Sequence, residues 1–301
     1  MTIRELLEIF GEWSKRNLAH GTIEEYARHF KRLEKAAGEK DVSQVRESDL
    51  TSWASSWHSI QACQRLFNWA RDHAEVISRN PFSKIKKPPI GQRKRILSRK
   101  QILSLMRFAP RDFRPFLLCL AQTIARPQEA RKLTWEQIES ADEGMSIKES
   151  LRKGRAFFSL DSFKGKARRT EANAIRVIPI PRRFGRFLAR QFDEANPPKG
   201  EIFRNKRGRP FTNNAIRLRF KRLRKRAGLD GRDHRGEKVV CYTFRHSMAT
   251  QAVKRGVRDK TLAELMGHTS TRTTARYMHF DSGHLLDAIE VVTAKTKKKK
   301  D

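Results

Sequence analysis

The sequence predicts a mainly α-helical protein with one small β-sheet, divided into two domains. Three observations carry this prediction. Apolar residues recur at helical spacing through roughly the first 85 residues. A stretch rich in proline and basic residues then breaks the pattern, and only two short segments beyond it have strand composition. The 301 residues suffice for two compact domains.

The first domain is expected over residues 1–84, as four helices. Thr2 and Glu5 match a capping box, and Ile3, Leu6, Leu7, Phe10 and Trp13 follow on one face. Thr22 and Glu25 repeat the signature ahead of Tyr26, Phe30 and Leu33, with Gly38 as the expected stop. Shorter helices are expected over 50–57 and 61–70. Four of the five tryptophans (Trp13, Trp53, Trp57, Trp69) lie here at helical spacing and are expected to form the core.

The run "NPFSKIKKPPIGQRKR" has two adjacent prolines, a glycine and a high density of Lys and Arg. It predicts an extended linker, with boundaries at 85–97. Its basic residues Lys84, Lys86, Lys87, Arg93, Lys94 and Arg95 are either a solvated hinge or a surface that lies against a polyanion. A second domain is expected over 98–290, opened by a capping box of Ser98 and Gln101. "FRPFLLCLAQTIA" predicts a buried helix; "AFFSLDSF" and "IRVIPIP" predict strands joined by the basic loop "KGKARRTEANA". A helix over 214–227 turns Ile216, Phe220 and Leu223 inward and Arg217, Lys221 and Arg224 onto another face, which is either solvated or bound to phosphates. Residues 291–301, with "KTKKKK", predict a disordered basic tail.

The 66 Lys+Arg against 33 Asp+Glu leave a net charge of +33, spread along the whole chain. Such an excess points to a polyanionic partner, with DNA or RNA as the default and a membrane surface as the weaker reading. No segment approaches the ~20 apolar residues of a membrane span. Cys63, Cys119 and Cys241 are far apart and form no CxxC pair, which supports neither a zinc ribbon nor a disulfide framework. The three scattered cysteines suit a reducing compartment, and the acidic residues of "MTIRELLEIF" and its lack of an apolar signal core predict no secretion; with a DNA partner, the expected setting is cytoplasmic and nucleoid-associated.

Chemistry is suggested by a scattered set: Arg126 and Glu129 in "ARPQEARKL", Arg245 and His246 in "YTFRHSMAT", His268 in "LMGHTS", and Tyr277 in "TARYMHF". Each alone is an ordinary residue of a basic protein. In this order and spacing the chain resembles the tyrosine recombinase (phage integrase) family. That pattern places an arginine in TGxRxxE, a lysine in a β-hairpin, then HxxRH, LGH and a tyrosine shortly after. Here the matching positions are Thr123-Ile124-Ala125-Arg126 with Glu129, a hairpin lysine, Tyr242-x-x-Arg245-His246, Met266-Gly267-His268 and Tyr277. Two positions depart from it. Ile124 stands in place of a glycine, and Tyr242 replaces the first histidine; a phenol can donate to a phosphate oxygen but is a poor base near neutral pH.

The resemblance implies an N-terminal helical core-binding (SAM-like) domain and a C-terminal α+β catalytic domain that clamp duplex DNA. It implies strand cutting and joining through a 3′-phosphotyrosyl intermediate, with catalytic residues Arg126, Lys164, Tyr242, Arg245, His268 and Tyr277. The arginines would neutralise the phosphodiester, His268 would donate to it or help take a proton, and Tyr277 would attack phosphorus. A hairpin lysine would protonate the leaving 5′-oxygen. Lys164, nearest the strand end, is the choice; Lys166 remains the alternative, or else both lysines simply bind phosphate. The chemistry calls for neither metal nor nucleotide cofactor. Four protomers on two duplexes are implied, with "SGHLLDAIEVV" either reaching a neighbour or packing on its own domain. A type IB topoisomerase would share the chemistry, and a non-enzymatic DNA-binding regulator would share the scaffold. The latter would be marked by loss of Tyr277 or an arginine, and both are present. Clustered carboxylates that would suggest a metal-dependent nuclease are not found near the basic motifs.

Overall fold

The computed structural model describes residues 1–89, 93–161 and 175–268. The chain divides into two compact units, Met1–Gln92 and Arg93–Asp301, each described by itself. Among the described residues no helix is long and apolar enough to cross a membrane.

The first unit packs four helices. In α1 (Ile3–Asn17) the Thr2 hydroxyl accepts from Glu5 N and the Glu5 carboxylate accepts from Thr2 N, the box expected from sequence. The second box is not an N-terminus. α2 (His20–Ala37) begins three residues earlier, with Ala19 in place of Thr22 as the cap, because the Ala19 carbonyl already accepts from the Thr22 and Ile23 amides. Gly38 closes it. The next two helices are also shifted from their expected positions. Asp49 accepts from the Arg46 amide and starts α3 (Glu47–Thr51) ahead of Leu50. The Ser56 hydroxyl accepts from Ser59 N and starts α4 (Trp57–Asp72) before residue 61.

Leu6, Phe10, Leu33, Leu50, Leu66, Phe67 and Phe82 form the core of this unit. Phe10 lies 5.5 Å from the Trp13 ring and 5.2 Å from the Trp69 ring. Trp53 also packs on this core, whereas Trp57 is half-buried under the Lys87 amine, 5.5 Å above its ring. The segment after α4 is irregular but anchored. The Gln64 side chain donates to the carbonyls of Phe82 (2.7 Å) and Ile85 (3.1 Å), and Asn80 donates to Asn68 (2.8 Å).

The second unit opens with α5 (Arg99–Phe108), capped by Ser98 and Gln101 as expected. α6 (Arg114–Gln122) carries the buried Phe116, Leu117, Cys119 and Leu120. Its end is closed by Thr123, whose hydroxyl donates to Cys119 O at 2.8 Å. α7 (Pro127–Ala130) is a single turn. The sheet is antiparallel in the order β1 (Ile138–Ser140), β2 (Ala156–Leu160), β3 (Arg176–Ile180), with Ala156 opposite Ile180 and Leu160 opposite Arg176. β1 was not expected; three residues are too short to carry an alternating signal. α8 (Ile147–Lys153) sits between β1 and β2, and α9 (Arg182–Ala189) follows β3. α10 (Asn213–Arg226), α11 (Cys241–Lys254) and α12 (Asp259–Met266) complete the unit. Phe113, Phe116, Phe158, Phe184, Phe203, Phe211, Phe220 and Phe244 dominate one continuous core. The basic loop after β2, the segment around Tyr277, the apolar stretch beyond it and the basic tail lie outside the described residues.

Candidate active site

A helix ends with carbonyl oxygens that have no intrahelical partner and with the negative end of its dipole. At the end of α12 these oxygens meet three guanidinium groups. Arg176, at the start of β3, donates to Glu264 O (3.3 Å) and Leu265 O (3.1 Å). Arg245, one turn into α11, donates through Nη2 to Met266 O at 2.5 Å. Arg126, just before α7, donates through Nη2 to Gly267 O at 3.1 Å. Four consecutive carbonyls are thereby taken by three arginines from three separate elements.

Gly267 is what allows this. It terminates α12 in the left-handed conformation (φ 59°, ψ 44°), and a Cβ at this position would run into the Arg176 guanidinium, 2.7 Å from its Cζ. The turn that follows places His268 Nε2 3.3 Å from Arg245 Nη2. A guanidinium only donates, so this geometry suits Nε2 as the acceptor, with the ring proton on Nδ1.

Glu129 counters the positive charge. Its carboxylate meets Arg126 Nη1 at 2.5 Å, Arg176 Nε at 3.2 Å and the Arg126 amide at 2.9 Å. Burial would raise its pKa, but the charges of Arg176 and Arg126, with the hydrogen bonds from Arg126, outweigh burial and hold it below the usual carboxylate value. Arg245 is 1% exposed. Burial, then the charge of Arg126, lowers its pKa to about 10, so it remains a cation at neutral pH. Its Nη1 donates to Ile124 O at 2.5 Å, while its buried Nε has no hydrogen-bond partner among the described residues. The carbonyl of Ile124, a position where the sequence pattern has glycine, is thus part of the frame.

The structure brings together Arg126, Glu129, Arg245 and His268 of the residues singled out by sequence. Tyr242 lies one turn before His246 on α11, its ring 4.9 Å from that imidazole and edge-on to it. Tyr277, Lys164 and Lys166 lie outside the described residues. Arg176 was missed. Its signal was present as a lone cation heading an apolar strand, but a strand end is also an ordinary place for a solvated arginine. Among the described residues no group of three His, Cys, Asp or Glu side chains is placed to hold a metal ion.

The expected DNA-facing residues divide. Lys84 and Lys86 are exposed, whereas Lys87 donates to Gln61. The Lys94 and Arg95 amides are held by the Glu237 carboxylate (3.1 and 2.8 Å); the guanidinium of Arg95 donates to Gly231 O at 2.8 Å and that of Arg93 to Lys238 O at 3.2 Å. On α10, Arg217 and Lys221 are exposed, opposite the buried Ile216, Phe220 and Leu223. Arg224 is a correction. It is 7% exposed and occupied by Asp230 (2.7 Å) and Val239 O (2.7 Å), because it falls next to Leu223 on the inward side.

In fold the chain is similar to integrases. The Tn1549 transposon integrase in complex with transposon right end DNA superposes with a TM-score of 0.68 at 17% identity, over 98% of this chain and 100% of that one. A lambda integrase dimer bound to a COC′ core site gives 0.69 at 15% identity, over 92% and 77%. The phage integrase family model matches residues 95–284, and the chain belongs to this family. Its curated relatives are tyrosine recombinases. A XerC of Nitrobacter winogradskyi is 37% identical over 91 residues, 30% of this chain and 26% of that protein. A XerC of Pseudomonas fluorescens is 25% identical over 316 aligned positions, 95% of each chain. The match therefore spans about a quarter of the Nitrobacter relative and nearly all of the Pseudomonas one.

Proposed function

We propose that the chain is a site-specific DNA recombinase that cuts and rejoins strands through a 3′-phosphotyrosyl intermediate. The observation that carries this reading is the convergence of Arg126, Arg245 and His268 at the end of α12, with a buried guanidinium N–H left over. A phosphodiester is anionic and resists nucleophiles until its charge is neutralised. Fixed guanidinium forks do so without reorganising, and they gain strength where water is excluded.

In the proposed reaction the Tyr277 oxygen attacks phosphorus as its phenolic proton leaves, the bond from phosphorus to the 5′-oxygen breaks, and that oxygen takes a proton. Arg126 and Arg245 stabilise the pentacoordinate state, His268 holds a non-bridging oxygen, and Tyr242, a poor base near neutral pH, donates to the phosphate. Lys164 supplies the leaving-group proton, with Lys166 as the alternative. The new ester conserves the phosphodiester, so a second 5′-hydroxyl can reverse the step on another strand. Four protomers on two duplexes, in the cytoplasm and on the nucleoid, complete the reading.

Incubating the protein with fragmented DNA of its source genome, then sequencing what survives SDS attached to it, tests this directly. Adducts should collect at one sequence or a small set, and mixing two such sites should yield recombinant joints. Adducts scattered at random, without joints, would instead describe a topoisomerase-like activity.

A further inference from the structure

A second basic feature of the catalytic unit has no part in this chemistry. β3 and the Pro181 cap beyond it carry the chain from Arg176, in the arginine cluster, to Arg182 at the start of α9, at most about 20 Å at strand rise. There Arg182, Arg186 and Arg190 recur at every fourth position along α9, a stripe about 12 Å long at helical rise. With Arg152 and Lys153 of α8 and the small Ala189 they line an open hollow of about 400 Å³. Lys153 pairs with Glu149 at 2.6 Å. The guanidinium groups of Arg152, Arg182, Arg186 and Arg190 are exposed or at the rim and make no ion pair or hydrogen bond among the described residues. Three other arginines of this unit are matched by acids, Arg155 by Asp142, Arg219 by Asp112 and Arg224 by Asp230, and none of them lines the hollow.

The hollow is held in shape by two glycines. A Cβ at Gly185, inside α9, would collide with the Leu151 carbonyl of α8, and one at Gly154 would sit 3.0 Å from the Arg182 Cβ. Glycine inside a helix weakens it unless close approach requires it. Here close approach fixes α8 against α9 and brings their cations together. Like charges four residues apart destabilise a helix, so the stripe lowers stability unless an anion covers it.

We propose that the α8–α9 face is a second nucleic-acid contact, which takes the phosphate backbone of duplex DNA away from the reacting phosphate. A single oxyanion would engage one or two guanidinium groups, whereas a stripe of this length matches a run of phosphates, each suited to an arginine fork. An acidic protein is the poorer fit. Its interface would need apolar or aromatic anchors, and among the described residues the only apolar one lining the hollow is Ala189.

The test compares Arg182→Gln/Arg186→Gln/Arg190→Gln with a control of equal charge loss, Lys206→Gln/Arg207→Gln/Arg209→Gln, in full-length protein. Glutamine keeps the helix, and the melting temperature should be unchanged or higher. The salt slope of binding to a duplex of about 45 bp should drop by about 2 to 3 in the α9 variant, at ~0.9 per lost phosphate contact, and by less than 1 in the control. A hairpin-capped duplex of about 8 bp centred on the scissile phosphate, which reaches only about 14 Å to either side at 3.4 Å per step, separates the two sources. If the face holds the flank of the same DNA, the short duplex shows no difference. If it holds a second duplex, the wild type binds a second short duplex that the variant does not. Covalent adduct formation on the short duplex should persist in the variant, so failure of the recombinase reading would show separately. Equal slopes in wild type and variant, an equal drop in the control, or loss confined to polyglutamate binding would each overturn the proposal.

Discussion

Glu129 lies among guanidinium groups in a buried setting, and its loss should be felt on both stability and pH. It bridges the partly buried Arg126 and the buried Arg176, so Glu129→Gln removes the carboxylate that both share and should cost roughly 3 kcal/mol, as when one partner of a buried pair is removed. Because its pKa is depressed on folding, its stabilisation is complete above the unfolded value near 4.5 and is lost as pH falls through the lower folded value. Denaturation from pH 7 to pH 3 should therefore show a gap between wild type and variant that closes on acidification. A gap constant with pH would remove the ion pairs as its cause. For the arginines, Arg126→Lys and Arg245→Lys should each slow strand cleavage by orders of magnitude, since a point charge cannot reproduce the fork. Near-normal cleavage in either would leave charge alone as the requirement. Arg126, Arg245 and His268 were legible in the sequence because their order and spacing form a pattern. Arg176 was not, because its partners, Glu129 and the α12 carbonyls, are remote in sequence and only the fold brings them to it.

At the scale of elements, the end of α12 organises the site. Gly267→Ala places a side chain in left-handed backbone, at about 1–2 kcal/mol, and pushes on Arg176 as well. We expect a lowered melting temperature and a cleavage defect larger than the lost stability explains, measured at a temperature where the variant is fully folded. Full activity in the folded variant would show that this turn does not set the arginines. The proposed acid lies in sequence between β2 and β3. Lys164→Ala should be severely slow on ordinary DNA and largely restored by a bridging 5′-sulfur, because a thiolate departs without a proton. Rescue of Lys166→Ala instead would move the role two residues along. Capping boxes at Thr2 and Ser98 were visible because local hydrogen bonding decides them, and β2 and β3 because their β-branched and aromatic residues mark them by composition. The Thr22 box failed because a competing backbone acceptor, Ala19, started the helix first. Arg224 failed for a related reason: helical periodicity gives a face, but only packing shows where that face stops.

For the whole molecule, the charge of +33 makes binding and chemistry separable. Affinity for duplex DNA should fall by about 10³ or more between 50 and 200 mM salt, as for proteins with several phosphate contacts. The rate of cleavage by bound protein should change far less, because its arginines are buried or framed by carbonyls. The central claim, that Tyr277 becomes covalently joined to a 3′-phosphate, is tested most directly by mapping the adduct. The protein is trapped on its DNA site with a nick beside the scissile phosphate, digested with nuclease and protease, and analysed by mass spectrometry. The account predicts a nucleotide on the peptide containing Tyr277, and none from Tyr277→Phe, which should still bind DNA with nearly unchanged affinity. A nucleotide on any other residue, or an adduct that persists in Tyr277→Phe, would contradict it.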